Sequence, residues 1–478
     1  MCGIVLLSGP NATARLPTCL DRLRHRGPDD RGTWRDGEIA LGFTRLRING
    51  RGSVGAQPIC DSGLIAAING EIYNHARLAD AYGLPGSECD TSVVLPLLAR
   101  IGLRAIDELD GFYSAVVVQP SNRKVLCLRD HMGKKPLFVG SSEGDLFITS
   151  EMKAVDQCDW FQMLPRGAST VDLDTGAVSL QATHRRVDCD VDLATAFVQA
   201  VRKRMPSSDQ PVGVFLSGGL DSSLVASVAS SLREDATYFT LGRPDHPDFE
   251  AAKTVVDALR LRDVRMVPLP EPESIPLLLR QVVRATESFN PSIVSNGLAT
   301  FLLAKAAREA GIKVVLTGEG ADELFGGYHS FQESDPWRQT REQLVDQMQF
   351  TELRRLDLCC MAQSVEPRCP FLDRAVRSIS DGLGYCDFFD AGVNKAVLRR
   401  TFAGALPDAI IHRRKTSFDV GSGIRGQVVR YLRRNGRCER EELRGIWDEL
   451  FLHKTSDPYF HAYPAFDDAI DRRGESHR

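Results

Sequence analysis

The sequence predicts an α+β domain with antiparallel sheets, followed by an α/β domain with a doubly wound parallel sheet. In residues 1–165, short apolar runs such as "GLIAAING" and "YSAVVVQ" are separated by Gly, Pro, Asp and Asn, as in strands joined by turns. From about residue 192, strands such as "PVGVFLSGG" alternate with helical segments such as "LDSSLVASVASSLRE". This alternation predicts a parallel sheet with helices on both faces. We therefore expect two domains, at residues 1–185 and 186–478.

The composition is that of a globular protein that binds neither nucleic acid nor a membrane. The chain has 478 residues, of which 43% are hydrophobic and 26% charged, and its formal net charge is -4. The apolar runs are strand-sized, and the N-terminus has no secretory signal, so we expect no membrane span. The 12 cysteines are scattered without a CxxC pair, which favours neither disulfides nor zinc. We expect a cytoplasmic protein with reduced thiols.

A thiol stands at the extreme N-terminus, because Cys2 directly follows Met1. Removal of the methionine, which is expected before a small residue, would free the α-amine of Cys2. An α-amine has a pKa of about 8, so it can accept a proton from the neighbouring thiol near neutral pH. A cysteine at position 2 can also be incidental, and only the surrounding motifs decide between the two interpretations.

Six further motifs follow Cys2 in a fixed order. They are "RHRGPDD" (24–30), "RLRING" (45–50), "AINGEIYNH" (67–75), "CDTSVV" (89–94), "LDGFYSAVV" (109–117) and "RDHMGKKPLF" (129–138). Together with Cys2 they resemble the class II, N-terminal-nucleophile (Ntn) type of glutamine amidotransferase domain, and their order is similar to that in the asparagine synthetase family. The resemblance implies an αββα sandwich of the Ntn-hydrolase type for the first domain.

The resemblance also implies roles for the residues of these motifs. Cys2 would attack the carboxamide of glutamine and form a γ-glutamyl thioester. The side chain of Asn69 and the backbone N–H of Gly70 would form an oxyanion hole, in which donors point to the oxygen where negative charge develops.

Three charged residues of the same motifs would bind the amino-acid part of glutamine. The resemblance assigns Arg45 to the α-carboxylate, for which a planar guanidinium suits bidentate contact. It assigns Glu71 and Asp90 to the α-ammonium group. Thr91 and Ser92 follow Asp90 at a place where the family often has an acidic residue, which is a small departure from the pattern.

A glycine-rich turn, "FLSGGLDSS" (215–223), lies between a predicted strand and a predicted helix. Glycines let a backbone approach phosphate closely, and a helix N-terminus favours negative charge. The pattern differs from GxxxxGK[ST] and resembles the loop of ATP pyrophosphatases, which cleave ATP between the α and β phosphates. The resemblance makes Asp221 a Mg²⁺ ligand. It implies ATP-binding positions at Leu216, Ser217, Gly218, Gly219, Asp221, Ser222, Leu241, Thr317 and Gly318.

A second acidic loop, "VVLTGEGADELFGGY" (314–328), also follows a predicted strand. In the resembling family, Asp322 is the second Mg²⁺ ligand, and Glu319 lies near the acyl-adenylate, where it can serve as a base for ammonia. Lys415 in "HRRKTSF" (412–418) matches a lysine that neutralises charge on pyrophosphate. The motifs "VEPRCPFLD" (365–373) and "NKAVLRRTFAGALP" (394–407) also match, so the resemblance spans about residues 1–425.

The acceptor pocket departs from the family. In "PSIVSNGLA" (291–299), Ser295 stands where an arginine associated with holding aspartate is expected. An acceptor with an α-carboxylate would then need another cation, and Arg284, Lys305 and Arg368 are near in sequence. Other branches of the family also lack this arginine, so aspartate stays the favoured acceptor and another carboxylic acid stays open.

The sequence therefore predicts a ligase of asparagine biosynthesis that uses glutamine, ATP and Mg²⁺. It would adenylate a carboxylate, release pyrophosphate and AMP, and amidate the acid with ammonia that crosses an internal channel. A relative of β-lactam synthetase is a rival, but the intact glutaminase residues argue against it. A second alternative is an inactive scaffold or regulatory protein, but the presence of Cys2, Asp221 and Asp322 does not favour it. Homodimers are common in the resembling family.

Overall fold

The structure is a computed structural model that describes residues 2–50, 52–86, 89–120, 122–156, 158–328 and 337–451. The chain forms two compact units: the first comprises residues 2–185 together with 449–451, and the second comprises residues 186–448. Within the described ranges, no helix is long and apolar enough to cross a bilayer. The residues after 451 lie outside the described part.

The first unit consists mainly of strands. These are β1 (Gly3–Ser8), β2 (Asp30–Asp36), β3 (Ile39–Arg45), β4 (Ile59–Asp61), β5 (Leu64–Ile72), β6 (Gly111–Val118), β7 (Lys124–Arg129), β8 (Phe138–Ser142), β9 (Asp145–Thr149), β10 (Trp160–Met163), β11 (Gly167–Asp172) and β12 (Val178–Ala182). Its α-helices are α1 (Ala12–Arg22), α2 (His75–Tyr82), α3 (Val94–Ile101) and α4 (Ala105–Glu108).

Two antiparallel sheets pack face to face in this unit. Their strand orders are β10-β8-β9-β1-β3-β2 and β12-β11-β7-β6-β5-β4. Alternate apolar side chains of both sheets form one buried core, with Leu6 and Leu41 from the first sheet and Ala67 and Val116 from the second. Helix α1 packs on the outer face of the first sheet, and α2, α3 and α4 pack on that of the second. The predicted αββα sandwich is thus confirmed.

The second unit alternates strands with helices. Its strands are β13 (Val212–Phe215), β14 (Thr237–Leu241), β15 (Asp263–Val267), β16 (Val314–Leu316), β17 (Glu366–Arg368), β18 (Phe389–Asp390) and β19 (Val393–Asn394). Its helices are α5 (Leu193–Lys203), α6 (Leu220–Leu232), α7 (Pro247–Leu259), α8 (Ile275–Thr286), α9 (Pro291–Glu309), α10 (Ala321–Phe325), α11 (Trp337–Gln347), α12 (Glu352–Met361), α13 (Arg374–Asp381), α14 (Tyr385–Phe388), α15 (Ala396–Thr401), α16 (Asp408–Ile411), α17 (Phe418–Gly421), α18 (Ile424–Arg434) and α19 (Glu439–Leu450).

The main sheet of this unit is parallel, as predicted, with the order β15-β14-β13-β16-β17. Strand β13 pairs with β14 on one side and with β16 on the other, where Val214 is opposite Tyr238 and Leu316 respectively. The strand order therefore reverses between β13 and β16. In open α/β sheets, ligands bind outside the carboxyl ends of the strands at such a reversal, and both glycine-rich loops predicted to bind ATP begin there.

A buried ion pair fixes the segment that follows β17. Asp373 lies 2.6 Å from Arg204, and both side chains are almost fully buried. The same carboxylate accepts a hydrogen bond from the backbone N–H of Ala375 at 3.0 Å and so caps α13. Lys203 also lies 2.5 Å from Asp373, so this carboxylate is shared by two cations. Breaking a buried pair by removing one partner typically costs about 3–5 kcal/mol, so we expect a loss of that order for removal of the shared carboxylate of Asp373.

Candidate active sites

The first site forms around Cys2, immediately before β1. Cys2 is only 8% exposed. Its backbone nitrogen donates to Oδ1 of Asn69 at 2.8 Å, and its carbonyl oxygen accepts a bond from Nε of Arg26 at 2.8 Å. The next residue, Gly3, donates its N–H to the hydroxyl of Thr44 on β3 at 3.2 Å. Side chains from several elements therefore fix the backbone that carries the thiol.

Asn69 and Gly70 lie on β5, where the sequence placed the oxyanion hole. Asn69 is fully buried, and its Nδ2 has no hydrogen-bond partner among the residues that the structure describes. A buried donor without a partner costs about 1–3 kcal/mol, so this amide is suited to an oxygen atom of a ligand. Gly70 follows, and a Cβ atom there would lie 2.2 Å from the carbonyl oxygen of Phe112, so only glycine fits.

Arg45 ends β3 and is 4% exposed. Its guanidinium donates to four backbone carbonyls of the next loop. Three of them are those of Asn49 at 3.0 Å, Gly50 at 3.2 Å and Gly52 at 3.2 Å, and the fourth is that of Val54. The sequence assigned Arg45 to a carboxylate and did not predict these contacts. The guanidinium therefore also shapes the loop that follows β3.

Glu71 and Asp90 are brought together, as their predicted common role requires. The amide nitrogen of Asn49 lies 2.7 Å from Oε2 of Glu71 and 3.4 Å from Oδ1 of Asp90. The other oxygen of Asp90 accepts the backbone N–H of Ile72 at 2.7 Å. Asn49 was not predicted as a site residue, although its position within "RLRING" was a signal that could have found it.

A buried cluster of charges supports the backbone of Cys2. Glu151 is fully buried and pairs with Arg26, with His25 at 2.7 Å and with Lys153 at 2.6 Å. Burial acts to raise the pKa of Glu151, but the three neighbouring cations, led by Lys153, hold it well below the ordinary value. The ionised carboxylate keeps Arg26 in the place from which it binds the Cys2 carbonyl. The sequence did not predict this cluster.

The second site begins with the turn between β13 and α6. The hydroxyl oxygens of Ser217 and Ser222 lie 3.0 Å apart, and the Ser222 hydroxyl donates to the Gly219 carbonyl at 3.2 Å. The backbone N–H of Ser217 also bonds to the Ser222 hydroxyl at 3.2 Å. The turn is therefore held by its own hydroxyls above the N-terminus of α6.

The loop after β16 lies directly against this turn. A Cβ atom at Gly318 would stand 2.8 Å from the backbone nitrogen of Ser222, so glycine is needed for the close approach. Thr317 donates its N–H to the Arg368 carbonyl at 3.0 Å. Leu216 and Leu241, at the ends of β13 and β14, are buried. The structure thus brings the residues predicted to contact ATP to one edge of the sheet.

The two carboxylates predicted to bind Mg²⁺ share one ammonium group. Nζ of Lys395 lies 2.6 Å from Asp221 and 2.6 Å from Asp322, and Lys415 pairs with the other oxygen of Asp322. Burial acts to raise the pKa of Asp322, but Lys395 and Lys415 lower it below its ordinary value. Lys395 is 2% exposed and was not assigned a role, although the sequence "NKAVLRR" contains it.

These carboxylates fit a divalent cation. They are close enough to share Lys395, and Oδ1 of Asp221 is buried with no hydrogen-bond partner within the described ranges. Mg²⁺ is commonly bound by one or two carboxylates together with phosphates of the substrate. The donor set is therefore suited to Mg²⁺ that accompanies a nucleotide.

Glu319 follows Gly318 and is bound by an arginine that the sequence did not single out. Arg355 on α12 donates to Oε1 of Glu319 at 2.8 Å and to the hydroxyl of Thr300 on α9 at 2.8 Å. Arg355 is 9% exposed, so Glu319 has a nearly buried guanidinium as its partner. This pair joins α9, α12 and the loop after β16.

The three cations that are near Ser295 in the sequence differ in their surroundings in the structure. Arg368 is buried against Glu366 at 2.6 Å, and Arg284 and Lys305 are on exposed parts of α8 and α9. Ser295 is 1% exposed, and its hydroxyl has no hydrogen-bond partner among the described residues. Arg355 is therefore a further candidate for the missing cation.

Comparisons with known proteins agree with this division into two sites. Residues 1–178 match the family model of a glutamine amidotransferase domain, and residues 192–352 and 343–461 match that of asparagine synthase. An amidotransferase domain followed by a synthetase domain defines a carbon–nitrogen ligase. The chain belongs to the asparagine synthase family, and the resemblance found in the sequence is confirmed.

The curated relatives align over most of their length. Asparagine synthetase B (glutamine-hydrolyzing) from Escherichia coli is 30% identical to this chain, over 84% of this chain and 78% of its own. A probable asparagine synthetase (glutamine-hydrolyzing) from Acanthamoeba polyphaga mimivirus is 29% identical, over 84% and 81% respectively. A solved glutamine phosphoribosylpyrophosphate amidotransferase from B. subtilis matches with a TM-score of 0.35 and 16% identity, over 66% of this chain and 81% of that one.

Proposed function

We propose that this chain is an ATP-dependent, glutamine-hydrolysing asparagine synthetase that forms AMP and pyrophosphate. The observation that carries the proposal is the pair of acidic side chains, Asp221 and Asp322, which share a cation where two glycine-rich loops meet. The hydrogen bond between the backbone of Cys2 and the buried amide of Asn69 in the first unit supports the glutamine-hydrolysing part of the proposal. The names of the curated relatives favour aspartate as the acceptor.

In the first unit, the thiol of Cys2 attacks the carboxamide carbon of glutamine. The free α-amine of the same residue accepts the thiol proton. Nδ2 of Asn69 and the N–H of Gly70 stabilise the oxyanion, because both donors are fixed before the reaction begins. Ammonia leaves, and water then hydrolyses the thioester to glutamate. Arg45, Glu71 and Asp90, described above, orient the amino-acid head group.

In the second unit, the turn that begins at Ser217 and the N-terminus of α6 bind phosphate groups of ATP. Asp221 and Asp322 would hold Mg²⁺, which would neutralise phosphate charge. Lys395 and Lys415 stabilise the negative charge that develops on departing pyrophosphate. Adenylation is required, because a free carboxylate is a poor acyl donor at neutral pH. Glu319 accepts a proton from the ammonia that attacks the acyl-adenylate.

The acceptor binds beside Glu319, where Arg355 provides a cation for its α-carboxylate. Ser295 is small and neutral, so it leaves room at the position where an arginine is expected. This same substitution favours one alternative, in which the acceptor is a different carboxylic acid. The buried Ser295 hydroxyl, which has no partner among the described residues, supports a ligand that offers a hydrogen bond there.

A panel of carboxylic acids tests the proposed function. The full chain is incubated with ATP, Mg²⁺, glutamine and one acid at a time, and AMP and the mass of the product are measured. We expect aspartate to give AMP and asparagine in equal amounts. If another acid alone gives an amide, the acceptor is wrong and the ligase chemistry stands. If no acid, including aspartate, releases AMP, the adenylation itself is contradicted.

Substitution Arg355→Gln tests the acceptor site. A hydrogen bond to a charged group contributes about 1.5–3 kcal/mol, so we expect the KM for the acceptor to rise about tenfold to a hundredfold. The KM for ATP should rise less than that for the acceptor, because Arg355 donates to Glu319 and Thr300 and not to the turn that begins at Ser217. The control is Arg284→Gln, which removes an exposed guanidinium of α8. Equal increases of both KM values would contradict the assignment.

A further inference from the structure

Asn49 forms hydrogen bonds with the residues proposed to bind both the α-carboxylate and the α-ammonium group of glutamine in the first unit. The backbone carbonyl of Asn49 accepts a bond from Nη2 of Arg45 at 3.0 Å. Its side-chain amide nitrogen lies 2.7 Å from Glu71 and 3.4 Å from Asp90. In the proposed function, Arg45 binds the α-carboxylate of glutamine, and the two acids bind its α-ammonium. The carbonyl oxygen of Asn49 therefore bonds to the group that would bind the α-carboxylate of glutamine, and its side-chain amide bonds to the groups that would bind the α-ammonium.

The position of Asn49 in the fold allows its side chain to move away from Glu71 and Asp90. The residue follows β3 and makes no ladder contact, so its displacement breaks no strand pairing. Asn49 is half-buried, whereas Arg45, Glu71 and Asp90 are each less than 9% exposed. An ammonium group that binds Glu71 and Asp90 therefore competes with the side-chain amide of Asn49 for their oxygens.

We propose that Asn49 occupies the head-group subsite for glutamine and sets its affinity and selectivity. This inference rests on the proposed function of the first unit. The neutral amide of Asn49 makes weaker bonds to Glu71 and Asp90 than a charged ammonium does, so glutamine displaces it. A ligand without an α-ammonium lacks the charge needed to displace the side chain. The apparent affinity is the intrinsic affinity multiplied by the fraction of molecules from which Asn49 has moved away.

Calorimetric binding of L-glutamine tests this inference in the full chain with Cys2→Ala, which prevents turnover. We expect the additional change Asn49→Ala to lower the Kd for glutamine by about threefold to tenfold, the range of a net hydrogen bond. Asn49→Leu, which keeps the volume but removes the donor, should act in the same direction. The matched control is Asn122→Ala, which changes an exposed asparagine of the same unit and should leave the Kd unchanged.

Binding of a second ligand distinguishes competition by the Asn49 side chain from a general loosening of the loop after β3. Glutaramic acid is glutamine without its α-amino group, and Asn49→Ala should leave its affinity unchanged. An unchanged or higher Kd for glutamine in both Asn49 variants overturns the inference and leaves the proposed glutaminase in place, as does equal tightening of both ligands. No binding of glutamine to any of the chains overturns the proposed glutaminase and the inference together.

Discussion

We expect Cys2→Ala to abolish glutamine-dependent synthesis and to leave synthesis from ammonium salts intact. The substitution removes the nucleophile, and loss of a nucleophile in a catalytic set costs at least about 10³-fold in rate. The site around residue 2 should keep its shape, because the backbone nitrogen and carbonyl oxygen of Cys2 make the hydrogen bonds to Asn69 and Arg26, and alanine keeps both atoms. The measurements are glutamate release from glutamine and amide formation with either nitrogen source.

The matched control for this experiment is Cys60→Ala, which removes an exposed thiol from β4 of the same unit. Its glutaminase rate should equal that of the unchanged chain. If the chain with Cys2→Ala still releases glutamate from glutamine, the nucleophile is misassigned. If it loses ammonium-dependent synthesis as well, the two sites do not act as separate catalytic centres.

The second large effect is expected for Asp221→Asn, which should stop the release of pyrophosphate and leave glutaminase activity in place. An amide has nearly the same shape as the carboxylate but carries no charge for Mg²⁺, and Lys395 would keep only Asp322 as its counter-ion. Loss of one preorganised electrostatic group typically costs about 10²–10³-fold in kcat. The measurement is pyrophosphate release with ATP, Mg²⁺, aspartate and an ammonium salt, which removes any dependence on the first site.

Asp245→Asn is the control for charge alone, because Asp245 is exposed and pairs with Arg243 at the surface. Its rate of pyrophosphate release should be unchanged. If the Asp221→Asn variant adenylates the acceptor at the full rate at every Mg²⁺ concentration, the assignment of Asp221 as a Mg²⁺ ligand is wrong. A parallel loss of glutamate release would instead indicate damage beyond the second unit.

Much of the fold follows from local patterns in the sequence. The alternation of strands and helices after residue 192 predicts a parallel sheet, because each parallel connection needs a crossover. Motif order predicts site roles for four residues, whose contacts in the structure are with Cys2 for Asn69, with Asn49 for Glu71 and Asp90, and with Lys395 for Asp322. Local pattern and motif suffice where the chemistry depends on a short stretch next to a strand end.

The residues that the sequence missed act through contacts distant in the chain. Lys395 reaches Asp221 from a segment far along the chain, in a left-handed backbone conformation with φ of 55°. Arg355 meets Glu319 only because α12 packs beside α9. Glu151 is a buried anion that pairs with His25 and Arg26, which are more than a hundred residues away in the sequence. None of these pairings is encoded by local periodicity, so only tertiary packing reveals them.

The carboxamide of Asn69 uses its oxygen for the backbone of Cys2 and keeps its nitrogen for a substrate. The separation between attacking atom and oxyanion donor is therefore set largely by the dimensions of one small rigid group. Cys2 precedes a strand of one sheet, and Asn69 belongs to the other sheet. This hydrogen bond therefore joins the two sheets at the site, and a shift of one sheet over the other must either break it or move Cys2 and Asn69 together.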